Sequence, residues 1–477
     1  MMNDKEMQEY DALVVGTGPN GLAAGIVLAE QGLKVLAIEG KDHIGGGMRT
    51  QALTLPGFHH DVCSAIHPMA VAAPFFKTLP LEKYGLELLH PQILAAHPFQ
   101  DGSASALYRS LEKTAENLGR DQETYLQLMH PLINHWEDLS GDFLAPLQVP
   151  NNPFQLAKFG LKALQPANFF ARRFKEDKTK GLWAGMAAHG IQPLDNLATS
   201  AIAMVLMAAG HVAGWPVFKG GSQALATALS KYFVEKGGEI QTGWMVKSLA
   251  ELPPSKAILF DLGPKQLLEI AGERFSAFYK WQLNRYRYGM GVFKMDFALD
   301  GPIPWIAPEA RAAGTVHLGG KIEAISKAES LIWKGRYADD PYVLIAQQSL
   351  VDQSRAPEGK HTAWAYCHVP ASSTEDLSNV IIDQIEKSAP GFRKMILAQS
   401  TMNCKEIQEY NPNYIGGDIN AGVQDITQIF TRPTISISPY RTSAKGIYIC
   451  SSSTPPGGGV HGMCGFHAAK RVLKDLF

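Results

Sequence analysis

Three glycines near the start of the chain have the spacing G-x-G-x-x-G, which is typical of a turn that binds the diphosphate of a dinucleotide. Gly16, Gly18 and Gly21 follow a short apolar run and precede an Ala-rich helical pattern. The first glycine permits a tight bend, the second lets the backbone approach the phosphates, and the third lets the helix pack closely on the strand. The free N–H groups at the helix N-terminus then face the phosphates, where the helix dipole also favours negative charge.

An acidic residue completes the nucleotide half-site that these glycines begin. Residues 34–38 form a second apolar run that predicts a strand, and Glu39 follows it directly. In a dinucleotide-binding unit, an acid at this position accepts hydrogen bonds from the ribose hydroxyls, and its charge disfavours a 2′-phosphate. NAD and the flavin cofactor FAD share this half-site, so the residues that follow must distinguish them.

A second glycine-rich turn lies just beyond the ribose site. Residues 45–47 are consecutive glycines, and Met48 and Arg49 follow them. A turn at this position is the extension found in flavoproteins whose FAD is bound in an extended form, and it is similar to the turn of the glutathione-reductase and amine-oxidase groups. We therefore predict FAD as the cofactor, and the alternative is that the turn is an ordinary loop.

Candidates for acid–base chemistry follow the glycine turns. In a flavin dehydrogenase the hydride goes to ring atom N5, so the protein must orient the C–H bond, exclude water and accept a proton. The segment FHHDVCSAIHP supplies His60, Asp61, Ser64 and His67, and His461 lies before the terminal helix. Histidine titrates close to neutral pH, which suits this chemistry. The alternative for each residue is a structural hydrogen bond.

The C-terminal glycines predict a second contact with the same cofactor. Residues 446–450 are predicted as a strand, and Gly457, Gly459 and Gly462 precede a helix that runs to Leu476. Their spacing also fits G-x-G-x-x-G, but no second strand and no ribose acid follow. We therefore expect this helix N-terminus to offer N–H groups to the flavin pyrimidine carbonyl. The alternative is a loop that only caps the helix.

Composition sets the outer limits of the function. The chain has 477 residues and a formal net charge of -1, so it has no general attraction to nucleic acid, and we predict no nucleic-acid partner. The five cysteines are scattered without a C-x-x-C pair, which excludes a redox dithiol and a zinc knuckle. We predict no metal site. The polar N-terminal segment and the cysteine content predict a cytoplasmic location.

Alternating strands and helices at both ends of the chain predict one discontinuous α/β domain. We predict a Rossmann-like FAD-binding domain of the amine-oxidase and glutathione-reductase type, with an inserted α+β substrate domain. The FAD-binding domain comprises 1–70, 216–285 and 421–477. The substrate domain comprises 71–215 and 286–420.

Two stretches of the middle of the chain are ambiguous. The uncharged stretch 196–218 is long enough for a membrane span, but its glycines, histidine and proline favour a buried helix that runs into a strand. After a predicted helix at 223–236, residues 239–249 read as strand-like, and 256–261 read as a buried strand.

Together these motifs resemble a known group of flavoproteins. The three motifs are GTGPNGLAAGIVLAEQG at 16–32, FKGGSQALATAL at 218–229 and KGIYICSSSTPPGGGVHGMCGFHAA at 445–469. They are similar to the phytoene desaturase-related group, which includes carotenoid desaturases and isomerases, retinol saturase and, most similar in the tail, the pyridine nucleotide-disulfide oxidoreductase domain-containing proteins. The resemblance implies non-covalent FAD, a flavin domain of the amine-oxidase type and a substrate domain shaped for long apolar molecules.

The motifs and the resemblance together give a set of predicted cofactor-binding residues. The set is Gly16, Gly18, Pro19, Asn20, Gly21, Glu39, Gly40, Gly46, Gly47, Met48, Arg49, Val246, Ser453, Gly458, Gly459, Val460 and His461.

One inserted segment suggests a membrane contact. Residues 151–175 combine aromatic and aliphatic residues with lysines and arginines, a pattern that fits a helix lying on a membrane surface. The alternative is a helix pair that covers the core and exposes a basic face to water.

The predicted function is that of an FAD-dependent dehydrogenase or desaturase. It would take a hydride from a long apolar, isoprenoid- or carotenoid-like substrate to flavin N5, and oxygen or a quinone would reoxidise the flavin. The alternatives are a redox-neutral, FAD-assisted isomerase, an amine oxidase and a non-catalytic flavin-binding scaffold.

Overall fold

The computed structural model describes residues 9–477, so the first eight residues of the predicted segment 1–70 lie outside the described residues. Within this range the strands form two large sheets and two small ones. The strands are β1 Tyr10–Val15, β2 Val35–Ile38, β3 Thr50–Gln51, β4 His60–Asp61, β5 Leu88–Leu89, β6 Ile93–Pro98, β7 Ala104–Leu107, β8 Val217–Phe218, β9 Glu239–Gln241, β10 Ser255–Phe260, β11 Gly291–Leu299, β12 Ala313–Leu318, β13 Val343–Ala346, β14 His361–Val369, β15 Ile396–Met402 and β16 Ile447–Ile449.

The α-helices flank both large sheets. They are α1 Pro19–Ala29, α2 Pro68–Ala72, α3 Leu111–Asn117, α4 Gln122–Asn134, α5 Trp136–Phe143, α6 Pro153–Ala163, α7 Ala167–Ala171, α8 Asp177–Ala188, α9 Thr199–Ala213, α10 Gln223–Glu235, α11 Pro264–Ala271, α12 Ala277–Asn284, α13 Pro308–Arg311, α14 Ile322–Trp333, α15 Ser378–Ser388, α16 Phe392–Met395, α17 Cys404–Tyr410, α18 Ile426–Ile429 and α19 Met463–Leu476.

The first large sheet, called the parallel sheet below, has the strand order β16-β10-β1-β2-β9, and its paired strands are all parallel. β2 is buried along its whole length, as expected for a sheet that helices cover on both faces. The strands come from three separate stretches of the chain, 10–38, 239–260 and 447–449. This arrangement confirms the predicted discontinuous Rossmann-like domain.

Small residues let the helices of this domain approach the backbone closely. A Cβ atom on Gly21 would lie 2.0 Å from the carbonyl oxygen of Gly16, so α1 packs directly on the turn that precedes it. A Cβ atom on Gly465 would lie 1.8 Å from the carbonyl oxygen of Asn20, which explains how α19 crosses α1 without a gap. Since these are backbone atoms that cannot move aside, a larger residue at either position must displace a helix.

The second large sheet, called the mixed sheet below, has the strand order β15-β11-β14-β13-β12-β6-β7. Its pairings are antiparallel except for β12 with β6. Helices α8 and α9 belong to the apolar core on one side of it, and α15 and α16 belong to the core on the other. Its strands lie in 93–107 and 291–402, which confirms an inserted α+β domain. The exact domain boundaries stay a prediction.

The structure differs from the sequence reading at the edge of the parallel sheet. The strand-like segment 239–249 keeps strand geometry only in β9, because the chain turns at Gly243, whose φ is +71°. The turn is held by hydrogen bonds from Gly243 N to Lys41 O and from Trp244 N to Glu39 O. It brings the following residues over the ends of the sheet strands instead of lengthening the edge.

The stretch 196–218 folds as the sequence reading expected, as a helix followed by a short strand. α9 is largely buried, and β8 pairs with β5. Among residues 9–477, no helix has both the length and the apolar character that crossing a membrane requires.

Candidate cofactor and substrate site

A cavity of about 1080 Å³ runs from the parallel sheet to the mixed sheet. One end is lined by 15–20 and 38–41, at the carboxyl ends of β1 and β2. The other end is lined by Thr315, Leu344 and Trp364 of the mixed sheet. The carboxyl ends of parallel strands are where such folds bind their ligands, so the cavity lies where the sequence predicts the cofactor.

The first glycine turn forms the floor of this cavity. Gly16 has a φ of +104°, a left-handed conformation that residues with a Cβ atom rarely adopt. Its N–H donates to Ile38 O, which fixes the turn against β2. Pro19 begins α1 as its first residue, where the missing N–H costs nothing. The turn therefore presents backbone and the helix N-terminus to the cavity.

Glu39 lies at the predicted ribose position and is already hydrogen-bonded. Its Oε2 accepts from Thr17 Oγ1 at 2.5 Å, and its Oε1 accepts from Lys41 N at 3.0 Å. The guanidinium of Arg49 lies 3.2 Å from the same Oε1. Thr17 N also donates to Oε2, at 3.2 Å. Since a carboxylate has about four acceptor positions, ribose hydroxyls at this site would have to displace one of these four donors.

The second glycine turn packs directly on the first. A Cβ atom on Gly46 would lie 3.0 Å from the Cα of Gly18, so only glycine leaves both turns in contact. Tyr410 donates its hydroxyl proton to Gly46 O at 2.7 Å, and the Arg49 guanidinium lies over the Tyr410 ring at 5.4 Å from its centroid. The turn is thus also held by α17, which lies far from it in the chain.

His461 caps the terminal helix and does not line the cavity. Its Nδ1 accepts a hydrogen bond from Met463 N at 3.0 Å, and its Nε2 lies 3.2 Å from Gly457 O. Burial lowers the pKa of His461 to about 4, so the ring is neutral and Nε2 donates to the carbonyl. Its neighbours Gly458, Gly459 and Val460 line the cavity. No contact of the described residues supports the predicted acid–base role of His461, which stays a prediction.

Two of the predicted acid–base candidates, Ser64 and His67, line the cavity. Ser64 Oγ donates to Gly47 O. The ring of His67 stacks on Phe218 with centroids 4.5 Å apart, and its Nε2 lies 2.9 Å from Ser222 Oγ. Because Ser222 Oγ donates its proton to Ser64 O, it must accept from Nε2, and Nδ1 is left as the unprotonated nitrogen. Nδ1 is buried without a partner among the described residues. Burial lowers the pKa of His67 to about 4.

His60 and Asp61 lie in a buried network of charged groups rather than on the cavity wall. Asp61 Oδ2 accepts from Arg355 Nη2 at 2.8 Å, and both side chains are fully buried. Although burial acts to raise it, the pKa of Asp61 is lowered by this guanidinium. His60 Nδ1 lies 3.7 Å from Asp296, which also pairs with Lys294. Their predicted catalytic role stays a prediction.

Most of the predicted cofactor-binding residues line the cavity. Those that do not are Gly21, Met48 and His461. Those that do are Gly16, Gly18, Pro19, Asn20, Glu39, Gly40, Gly46, Gly47, Arg49, Val246, Ser453, Gly458, Gly459 and Val460. Their assignment to FAD stays a prediction, residue by residue.

The sequence reading missed the residues that the mixed sheet and its helices bring to the cavity. His189 follows α8 and lines the cavity, and its Nε2 lies 2.9 Å from the Nε2 of His317 on β12. Burial lowers the pKa of both histidines. Trp215 lines the cavity from the segment before β8 and donates to Thr315 Oγ1 at 2.9 Å. These residues carry no local motif, so no sequence signal marks them.

The cavity fits an FAD by its own features. Its lining includes glycine turns from both ends of the chain. Among the described residues, it also has buried polar atoms without a protein partner, including Asn20 Oδ1, His67 Nδ1 and Trp364 Nε1. Buried polar atoms are satisfied in nearly all native proteins, so such atoms indicate a ligand or ordered water.

Comparisons with known proteins relate the chain to oxidoreductases. Residues 14–79 match the NAD(P)-binding Rossmann-like domain. The chain is 24% identical to mouse (Mus musculus) pyridine nucleotide-disulfide oxidoreductase domain-containing protein 2, with 99% of this chain and 95% of that protein covered. It is 23% identical to one of the subunits of limonene dehydrogenase from Castellaniella defragrans, with 99% and 96% covered. The chain fits the FAD-dependent oxidoreductase family.

The solved structures show the same fold. Wild-type putrescine oxidase bound to putrescine superposes with a TM-score of 0.63, at 14% identity and over 98% of this chain and 99% of that one. This FAD-dependent amine-oxidase fold is the one that the glycine turns predict. FAD is therefore the cofactor consistent with the family, the fold and the cavity.

Proposed function

We propose that the chain is an FAD-dependent dehydrogenase that oxidises a C–H bond of an apolar, isoprenoid-like molecule. The observation that carries the proposal is the continuity of the cavity. Backbone glycines line one end, as a dinucleotide requires, and the other end is formed by Leu206, Leu344, Trp364 and other apolar or aromatic residues. Small-molecule sites combine such an apolar lining with a few polar groups that orient the ligand.

The chain's own residues would bind the dinucleotide, orient the substrate and remove a proton from it. The glycine turns and Glu39 would hold the dinucleotide, which when bound supplies the hydride acceptor. The apolar wall would exclude water and hold the substrate C–H bond in one orientation. His67 Nδ1 would accept the proton from the neighbouring carbon, because it is the unprotonated nitrogen of a ring fixed by Ser222 and Phe218. Loss of a hydride and a proton from adjacent carbons leaves a C=C bond.

The size of the cavity favours a short substrate. Its volume of about 1080 Å³ is close to the upper end of the roughly 300–1,000 Å³ that single small-ligand sites occupy. A dinucleotide takes most of this space, so the remainder suits a monoterpene better than a whole tetraterpene. The relative named as a limonene dehydrogenase component supports the same size of substrate.

Anaerobic reduction of the FAD-loaded protein tests this function. We would mix it with limonene, with phytoene in liposomes and with putrescine, and follow the oxidised flavin absorbance. The proposal expects bleaching with the monoterpene, slower or no bleaching with phytoene, and none with the amine. Oxygen and a soluble quinone would then be compared as reoxidants. Bleaching by putrescine alone would contradict the proposal in favour of an amine oxidase.

We also propose that α6 and α7 contact an anionic membrane through a surface called the basic apolar face, which consists of the exposed side chains of 151–175. Phe154 is 66% exposed and Leu161 is 75% exposed, whereas Phe159 and Phe170 pack in the core. The segment contains lysines and arginines but no acidic residue. Large exposed apolar side chains among basic ones suit the headgroup region of an anionic bilayer.

The crowding of positive charge supports an anionic partner. The pKa of Lys162 is lowered by partial burial and by the nearby charges of Arg173 and Lys158. A surface that brings cations together without acids gains from binding an anionic one. A membrane contact would also give the enzyme access to a substrate that dissolves in lipid.

Vesicle co-sedimentation tests the basic apolar face. Wild-type protein is expected to sediment with phosphatidylglycerol vesicles and not with phosphatidylcholine vesicles. The double substitution Phe154→Glu and Leu161→Glu is expected to abolish sedimentation with phosphatidylglycerol vesicles. Val234→Glu is the matched control, because Val234 is 53% exposed on α10, far along the chain from the face. Equal binding to both kinds of vesicle, or an equal loss in the control, would contradict the proposal.

A further inference from the structure

The wall of the cavity at the first glycine turn contains a carboxyl group that forms no ion pair among residues 9–477. Asp261 follows β10 and lines the cavity, and its Oδ2 accepts a hydrogen bond from Gly21 N at 2.9 Å. A Cβ atom on Gly18 would lie 2.7 Å from the same oxygen. The acid therefore fills the inside of the turn. α11 adds Lys265 and Glu269 to the wall nearby.

This position creates a charge conflict when a dinucleotide is bound. The N–H groups at the start of α1 are those that a diphosphate needs, and Asp261 already uses the one of Gly21. A carboxylate and a diphosphate that share one helix N-terminus repel each other, and the usual resolution is that one acid keeps its proton. The diphosphate is the far stronger acid, so the carboxyl must be the neutral partner.

The groups around Asp261 favour the same protonation state. Burial and the nearby negative charge of Glu39 raise the pKa of Asp261 to about 8. The neighbouring thiols of Cys450, after β16, and Cys464, on α19, are also neutral, because burial raises their pKa values. Arg49 is a buried cation at this end of the cavity, but its guanidinium is paired with Glu39.

We propose that Asp261 is a cofactor-binding residue that acts as a neutral carboxylic acid: Oδ2 accepts from Gly21 N–H, and the carboxyl O–H donates to a diphosphate oxygen of FAD. This inference rests on the proposed function in one respect, namely that the cavity takes FAD. It has a direct consequence for binding. FAD would bind only the protonated form, so its affinity would be constant at lower pH and fall about tenfold per pH unit above the pKa of the acid.

The substitution Asp261→Asn separates a neutral acid from a carboxylate. Asparagine has the same shape, its side-chain oxygen can accept from Gly21 N–H, and its NH2 group can donate as the acid does. Apoprotein would be titrated with FAD by flavin fluorescence from about pH 6 to pH 9.5. The wild-type Kd is expected to rise about tenfold between about pH 8.5 and 9.5, while the Kd of D261N stays flat. Parallel curves for the two proteins would overturn the proposal.

A second measurement on the apoprotein keeps this inference separate from the proposed function. A pKa raised in the folded state makes the acid's contribution to stability complete at low pH and lost as the pH rises toward about 8. Wild type should therefore lose stability relative to D261N as the pH rises from about 5 to 8. If the stability difference between wild type and D261N did not change with pH, the neutral acid would be overturned. If the difference changed as expected but neither protein bound FAD, only the proposed function would be contradicted.

Asp11→Asn is the matched control for that measurement. Asp11 lies on β1 of the same sheet, and its hydrogen bond from Lys256 holds its pKa below the ordinary value. Its contribution to stability is therefore present above the unfolded pKa and lost as the pH falls, so the sign is opposite to that of Asp261. Wild type should gain stability relative to D11N as the pH rises through the acid range. The same sign in D11N and D261N would overturn the assignment of Asp261.

Discussion

The two ends of the cavity are built in different ways. At the parallel sheet, backbone forms much of the wall, and several of the lining residues are close together in sequence, such as Gly16, Gly18 and Glu39. At the mixed sheet, side chains from distant segments form the wall, such as His67, His189 and Thr315. The first end is therefore specified by local geometry and the second by tertiary packing. The first suits a cofactor of fixed shape, and the second can change its substrate without changing the fold.

The buried ion pair of Asp61 with Arg355 should be the most sensitive point of this comparison. Asp61→Ala would leave the fully buried guanidinium of Arg355 without its carboxylate. We expect the free energy of unfolding to fall by about 3–5 kcal/mol, measured by urea denaturation. Lys405→Ala, which breaks an exposed pair with Glu409, should cost less than about 1 kcal/mol. Equal effects of the two substitutions would show that the buried pair stabilises the fold no more than the exposed one.

The buried histidines of the mixed sheet should make stability depend on pH. His97 is fully buried on β6, and burial lowers its pKa to about 4. Because the folded state favours the neutral ring, its contribution is complete above about pH 6.5 and is lost as the pH falls toward 4, at up to about 1.4 kcal/mol per pH unit. In urea denaturation at several pH values, H97Q should lose less stability on acidification than H130Q, the control at exposed His130. Equal losses of stability in the two variants would show that His97 is not the source of the pH dependence.

A single methyl group should disrupt the backbone end of the cavity. Gly21→Ala places a Cβ atom against the carbonyl oxygen of Gly16. We expect a loss of about 1–3 kcal/mol in stability and a large loss of FAD affinity, because α1 must move away from the turn. Gly160→Ala is the control, since Gly160 lies in α6 with no atom within 4 Å of the added Cβ. It should be neutral or stabilising by about 0.5–1 kcal/mol. Unchanged FAD affinity in G21A would show that the turn does not hold the cofactor.

The ribose contact should have the smallest of these effects. Glu39→Gln keeps the shape of the side chain but weakens its charge-assisted hydrogen bonds. We expect the Kd for FAD to rise about tenfold, or about 1.4 kcal/mol, in a fluorescence titration. Glu358→Gln, at an exposed position, should leave the Kd unchanged. An unaltered Kd in E39Q would mean that the ribose is held elsewhere.

The sequence predicts much of the parallel sheet because its signals are local. The G-x-G-x-x-G turn, the strand before it and the acid after the next strand lie within 30 residues, and each follows from backbone geometry. The failure at 239–249 arose because Gly243 turns the chain toward the cavity, which a strand pattern does not reveal. Periodicity reports which face of a segment is buried and not where the segment ends.

The other end of the cavity could not be predicted in the same way. His189 and His317 are 128 residues apart, and Asp61 and Arg355 are 294 residues apart. Their pairing depends on the register of the mixed sheet and the helices on it, for which single residue types give no signal. His461 is the opposite case: a local glycine-rich motif marks it, and its Nδ1 accepts from Met463 N at the start of α19, so its acid–base role stays a prediction.

The central claim is that the cavity binds FAD rather than a nicotinamide cofactor. The most direct measurement is a calorimetric titration of the apoprotein with FAD and, separately, with NAD. We expect a flavin complex with one FAD per chain and no measurable binding of NAD, because the second glycine turn and the C-terminal loop extend the site beyond the shared half-site. Tighter binding of NAD, or no binding of FAD, would contradict the account.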